Sequence, residues 1–176
     1  MNDRIQERVI RLFPILVIFL LLLPTAWICD DAYITMRTAD NFVNGYGLTW
    51  NVSERVQAYT HPLWLFLISG IYFPTRDAYF SLLLLSFAFS IGVVSLLCIK
   101  MSRTPIIAIL GGAFLFSSKA FIDYSTSGLE NPLSHFLLVL FMYIGLIDQK
   151  LNPKNKATAM GLIVAFIGLA RVDLLL

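Results

Sequence analysis

The feature that most limits this chain is a series of apolar runs with no charged residue. Residues 12–29, 78–99 and 131–147 hold no Asp, Glu, Lys or Arg. A helix needs about 20 mostly apolar residues to cross a bilayer, and the first two runs meet that requirement. Residues 104–122 qualify if Lys119 extends its stem to the headgroups. Residues 157–176 form another run, interrupted by Arg171 and Asp173. Residues 62–73 are too short to cross and read as an interfacial or re-entrant helix. Composition agrees. The chain is 58% hydrophobic and 14% charged, where a soluble domain has about 45–50% and about 25%. The expected fold class is an all-α membrane protein: a polytopic helical bundle with about five transmembrane helices and an amphipathic helix in the first extracytoplasmic loop, residues 29–77. The chain shows no internal repeat and no low-complexity segment. It stops at Leu174-Leu175-Leu176 inside an apolar run, which reads as the N-terminal part of a longer transmembrane domain.

Charge placement orients this layout. With five alternating spans and residues 62–73 not crossing, the inside segments hold Arg4, Arg8, Arg11, Lys100, Arg103, Lys150, Lys154 and Lys156. Outside remain Arg37, Arg55, Arg76 and Lys119. The excess of basic residues marks the cytoplasmic side, so a multi-pass inner (plasma) membrane protein with a cytoplasmic N-terminus is expected. If residues 62–73 crossed, both later basic clusters would face outward. The N-terminus resembles a signal peptide, but Ala26-Trp27-Ile28 before Cys29 offers no small-residue cleavage site. An uncleaved span is the better reading. Cys29 and Cys98 lie at the ends of different spans and support neither a zinc site nor a disulfide framework.

The first outside loop carries the most chemistry. Asp30 is a plausible helix cap and Asn44-Gly45 a helix stop, which predicts a helix over 31–44. At helical spacing Ala32, Met36, Ala39 and Val43 share one stripe, and Asp30, Arg37, Asn41 and Asn44 another. This pattern suits a helix lying on the membrane surface, apolar side down. Adjacent carboxylates just beyond a span need a reason, because charge near lipid is costly and tends to mark function. One of them could take the proton of an acceptor hydroxyl, orient the acceptor or hold a metal. Alternatively, Asp30 caps the helix and Asp31 favours its positive end. Adjacent helical residues do not share a face, so the two have different jobs.

Asp30-Asp31-Ala32-Tyr33-Ile34-Thr35, Gly45-Tyr46-Gly47-Leu48, Glu54-Arg55-Val56 and Tyr59-Thr60-His61-Pro62-Leu63-Trp64 together resemble one group of membrane glycosyltransferases. The group belongs to the C-type glycosyltransferase superfamily and includes bacterial arabinofuranosyl- and mannosyltransferase-like members. Ser127-Gly128-Leu129-Glu130-Asn131-Pro132-Leu133 and Leu169-Ala170-Arg171-Val172-Asp173 resemble its later motifs, with Val172 where the group often has proline. The resemblance implies a fold of many spans and a first extracytoplasmic loop over the active site. It also implies a polyprenyl-phosphate sugar donor. An acidic residue at the start of that loop is implied as catalytic base, which maps onto Asp30 or Asp31, with Asp30 favoured and Asp31 as helper. Such enzymes are typically much longer.

The candidate substrate-binding residues are Arg37, Arg55, Tyr59, His61, Glu130 and Arg171. Arg37, Arg55 and Arg171 are phosphate candidates, since guanidinium matches phosphate oxygens in a forked geometry. Solvated surface arginines, or an Arg171–Asp173 pair, are the plain alternatives. Glu130 reads either as a loop acid near a helix start or as a ligand for acceptor hydroxyls. Trp50, Tyr59 and Trp64 suit sugar stacking or, more commonly, interfacial anchoring. His61 and His135 have no partner at metal-site spacing and read first as structural. Asn51-Val52-Ser53 fits a glycosylation acceptor, relevant only in a eukaryotic secretory setting. The expected function is transfer of a sugar from a polyprenyl-phosphate donor to a cell-envelope glycan, lipid or protein. The alternative is a non-catalytic membrane fragment, or an accessory or transport subunit. Membrane lipid is an expected partner and nucleic acid is not. No cofactor is assigned, and a divalent metal stays open.

Overall fold

The computed structural model describes residues 2–54 and 56–175. Helix accounts for 77% of the described residues, with no strand among them. The elements are α1 (Asn2–Thr25), α2 (Asp30–Val43), α3 (Pro62–Thr75), α4 (Ala78–Ser95), α5 (Pro105–Ser117), α6 (Lys119–Tyr124), α7 (Asn131–Met142) and α8 (Pro153–Ala170). Wider π turns extend α4 through Leu96–Met101 and α7 through Tyr143–Ile147, and a 3-10 turn follows at Val172–Leu175. Helix starts follow local chemistry. Asp77, Thr104, Ser118 and Asn152 each accept a hydrogen bond from a first-turn backbone N–H. Proline occupies the first turn of α3, α5, α7 and α8, where a missing N–H costs nothing.

Two clusters make the core. Trp64, Leu65 and Ile68 of α3 pack with Leu82 and Leu85 of α4, Leu133 and Leu137 of α7, and Ile163 and Ile167 of α8. Ile18 and Leu22 of α1 pack with Val93, Val94 and Cys98 of α4, Ala108 of α5 and Phe121 of α6. The long helix α4 runs through both and ties them together.

Two helical stretches are long and apolar enough to cross a membrane: Ile5–Thr25 (21 residues) and Ala78–Met101 (24 residues). Their most apolar windows are only 17% and 39% buried inside the protein. A core helix of a soluble protein would be mostly covered. Here Leu16, Leu20 and Leu23 of α1 point outward with Ile106, Leu110 and Phe114 of α5 and Leu162, Phe166 and Leu169 of α8.

Several sequence expectations are corrected in detail. The run at 104–122 is not one helix, because Ser118 turns to extended backbone and divides α5 from α6. Its hydroxyl caps α6, a local bond that competes with helix continuation. Arg171 and Asp173 lie beyond α8, Arg171 in extended backbone and Asp173 in the short 3-10 turn. α8 ends at Ala170 and Arg171 is extended (φ −163°, ψ 108°), which spares two charges a place in an apolar helix face. The buried stripe of α2 is Ala32, Thr35, Thr38 and Ala39, packed on α3 and α4. Met36 and Val43 are only partly covered. Threonine fits this face because its hydroxyl finds partners: Thr38 donates to the Ile34 carbonyl (2.9 Å) and Thr35 meets His61. Trp64 neither stacks on a sugar nor anchors at an interface. It is fully buried, its indole N–H donating to the Gly128 carbonyl at 3.0 Å.

Candidate functional site

Two long-range hydrogen bonds bring the motif segments together. The Cys29 backbone N–H donates to the Ser127 carbonyl at 2.8 Å, and the Trp64 indole donates to Gly128. They fasten the starts of α2 and α3 to the turn that precedes α7. That turn is tightly enclosed, with Ser125, Thr126 and Ser127 all 0% exposed. Gly128 has φ +83°, and a Cβ there would stand 2.8 Å from the Ala32 Cβ and 2.7 Å from Leu82 Cδ2. Only glycine permits both the backbone conformation and this approach.

The result is a cleft of about 710 Å³ lined by Asp31, Ile34 and Thr35 of α2 and by residues 57–61 of the loop. Tyr124, Leu129, Glu130, Asn131 and Arg171 complete it. A smaller space of about 560 Å³ adjoins it, sharing Gln57, Thr60, Glu130 and Arg171 and reaching Asp173. Of the residues expected from sequence, Asp31, Tyr59, His61, Glu130 and Arg171 meet in the larger cleft. Asp30 does not line it. One helix position turns it away, where its Oδ1 accepts from the Asp31 backbone N–H (3.0 Å) and the Cys29 thiol (3.1 Å). The thiol bond, then the backbone N–H, hold its carboxyl below the usual range. Arg37 lies off the cleft. Its Nε donates to the Trp50 carbonyl at 2.9 Å, and its guanidinium sits 4.8 Å from the Trp50 ring centroid. Arg55 lies outside the described residues.

Polar contacts run through the cleft. Thr35 Oγ1 and His61 Nε2 are 2.8 Å apart, and His61 Nδ1 is 3.5 Å from Glu130 Oε2. Burial pushes the imidazole below its ordinary pKa of 6.5, against the upward pull of the Glu130 carboxylate. A neutral ring that accepts from the Thr35 hydroxyl at Nε2 carries its proton on Nδ1, facing Glu130. On the other side of Glu130, Oε1 is 3.6 Å from Arg171 Nη1. Arg171 Nε is held by Asp173 at 2.9 and 3.0 Å, and Nη1 donates to Asn131 Oδ1 at 3.2 Å. Both Glu130 contacts are longer than a good hydrogen bond, although its side chain is only 13% exposed. Its lone pairs are thus available to hydroxyl donors inside the cleft.

Sequence reading missed Thr35, Tyr124 and Asn131 as lining residues. Thr35 had a signal, because it is one helical turn after Asp31 and shares its face. Tyr124 had none, since only the fold brings α6 to this cleft. For a metal, Cys29, Asp30 and Asp31 offer ligand atoms within 4.8 Å of one another. The two carboxylates would suit a hard divalent cation and the thiol would not. Both carboxylates are also accounted for at the start of a helix, where negative charge is favoured.

Comparison with characterised proteins gives two related matches. The chain is 33% identical over 114 residues to a terminal beta-(1->2)-arabinofuranosyltransferase of Corynebacterium glutamicum, covering 61% of this chain and 17% of that protein. It is 30% identical over 132 residues to a protein of the same name from Mycobacterium tuberculosis, covering 69% and 20%. The matches therefore span no more than a fifth of those relatives' length. No family model and no solved structure matches the chain. Over 61–69% of its length the chain is thus similar to bacterial proteins named terminal beta-(1->2)-arabinofuranosyltransferase.

Proposed function

We propose that this chain forms the membrane portion of a glycosyltransferase that moves a pentosyl unit, arabinofuranose, from a polyprenyl-phosphate donor to a cell-envelope glycan. The supporting observation is the meeting of Asp31, His61, Glu130 and Arg171 in one cleft, from segments far apart in the sequence. Five spans, formed by α1, α4, α5 with α6, α7 and α8, place the N-terminus in the cytoplasm and the cleft at the outer surface. The outward apolar side chains of α1, α5 and α8 support lipid as their solvent.

In this reading Asp31 replaces Asp30 as the base, because Asp31 lines the cleft. Its carboxylate takes the proton of the acceptor hydroxyl. The acceptor oxygen bonds to the anomeric carbon while the bond from that carbon to the donor phosphate oxygen breaks. Polyprenyl phosphate leaves with the electron pair. Arg171, held by Asp173 and Asn131, presents its guanidinium to the departing phosphate. Glu130 accepts from acceptor hydroxyls, and neutral His61 keeps it in place from behind.

The test is glycosyl transfer from a radiolabelled polyprenyl-phosphate arabinose, in membranes of cells expressing the gene. Asp31→Asn is expected to lower the rate by about 100-fold or more, within the range removal of a general base produces. Asp30→Asn should lower it less than about 10-fold, the cost of a weakened helix start. Equal activity of wild type and Asp31→Asn would refute the assignment.

A further inference from the structure

The face of α2 opposite the catalytic cleft lines a second one. At 100° per residue, Asp31, Ile34 and Thr35 fall on one side of the helix, and Tyr33, Arg37 and Asp40 on the other. The second cleft holds about 510 Å³, bounded by those three residues with Trp50, Tyr72 and Arg76. Resting on the transferase reading above, we propose that it is a saccharide subsite, holding a distal segment of the acceptor glycan while the reacting end lies beside Asp31.

Its chemistry matches a polyol. Arg37 and Arg76 supply donors, and Asp40 in the same lining supplies an acceptor and offsets one positive charge, which disfavours a purely anionic ligand. Tyr33 (53% exposed) and Trp50 supply aromatic surface. The platform is built in advance of any ligand. Asn41 Nδ2 donates to the Thr49 and Trp50 carbonyls (2.9 and 3.0 Å), and Arg37 donates to the Trp50 carbonyl and to Asn51 Oδ1. Gly45 and Gly47, at φ +85° and +90°, let the loop fold back to make these bonds. Asp40 is oriented by the Tyr72 hydroxyl and by Asn44. Arg76 keeps a left-handed backbone (φ 53°) that L residues rarely adopt, and its guanidinium donates to Asn44 Oδ1 at 3.0 Å.

Reach sets the acceptor's size. Helical rise places Asp40 roughly 13 Å along the α2 axis from Asp31. A single sugar beside Asp31 cannot also reach Asp40, and a chain of several can. The exposed edge between Tyr33 and Ile34 offers the path.

Binding of an arabinofuranose hexasaccharide and of a disaccharide, to protein in lipid nanodiscs, tests this by saturation-transfer NMR and calorimetry. The variants are Asp31→Asn and the pair Tyr33→Ala/Arg76→Gly. Tyr33 is exposed, and glycine relieves the backbone of residue 76, so the paired variant keeps its fold. Hexasaccharide binding should weaken about tenfold in the pair, with disaccharide affinity unchanged there, and hexasaccharide binding should persist in Asp31→Asn. No hexasaccharide binding by the wild type, or equal binding by the pair, overturns the subsite. Absent transfer with hexasaccharide binding still lost in the pair would refute the transferase reading and leave the subsite standing.

Discussion

Gly128→Ala separates two costs that meet at the turn before α7. The first is conformational. The backbone is at φ +83°, and a residue with a Cβ loses about 1–2 kcal/mol there. The second is steric. The new methyl would stand 2.7 Å from Leu82 Cδ2 and 2.8 Å from the Ala32 Cβ. Overpacking of this kind costs about 1–3 kcal/mol, and Ala32 has no rotamer with which to move away. The sum is about 2–5 kcal/mol, which for a chain of this size lowers the melting temperature by roughly 10 °C. Gly45→Ala is the control: φ is +85° and nothing lies within 4 Å of the added carbon. It should shift melting by about half as much. Thermal unfolding in nanodiscs, followed by tryptophan fluorescence, reads both. Equal shifts for the two variants would show that the turn is not held by its contact with α2 and α4, and the account of how the cleft is assembled would fail.

Trp64→Phe keeps an aromatic side chain but removes the donor to the Gly128 carbonyl and part of the buried ring volume, so it should cost at least about 1–3 kcal/mol. In a double-mutant cycle with Gly128→Ala the losses should fall short of additivity, and simple addition would disprove the link. Because burial lowers the His61 pKa below 6.5, the unfolded chain takes up the proton first on acidification. The stability held in the neutral ring is therefore full above about pH 6.5 and declines as pH falls through the folded value. His61→Gln should flatten the difference in melting between about pH 7.5 and about pH 5.5, and an unchanged slope would count against it. Arg171→Lys keeps the charge but loses the fork that binds Asp173 and Asn131. The donor KM should rise about tenfold, and an unaltered KM would remove Arg171 from the phosphate site.

Much of the helix pattern is legible locally. Asp77, Thr104, Ser118 and Asn152 cap the helices that follow them, and prolines stand where first turns begin, because these signals act within a few residues. The break at Ser118 shows the limit. A hydropathy run cannot report a side-chain oxygen that bonds the backbone three residues on. The same limit applies to α2, where apolarity selects Met36 and Val43 while packing selects Thr35 and Thr38, whose hydroxyls find partners only in the folded protein.

The sequence by itself determined that the chain is helical and apolar, which follows from residue type and short spacing, while its resemblance to a known family singled out the candidate segments. It placed His61, Glu130 and Arg171 among the candidates without saying that they touch. Tertiary structure alone decided that Asp31 and not Asp30 enters the cleft, that Trp64 is a buried tether, and that Arg37 belongs to the opposite face of α2. The physical reason is rotation and distance. Adjacent helix residues differ by 100° about the axis, so the packing of α2 on α3 and α4 chooses which carboxylate faces inward. Contacts such as Cys29 to Ser127 and Trp64 to Gly128 join residues far apart along the chain, and no local pattern encodes them.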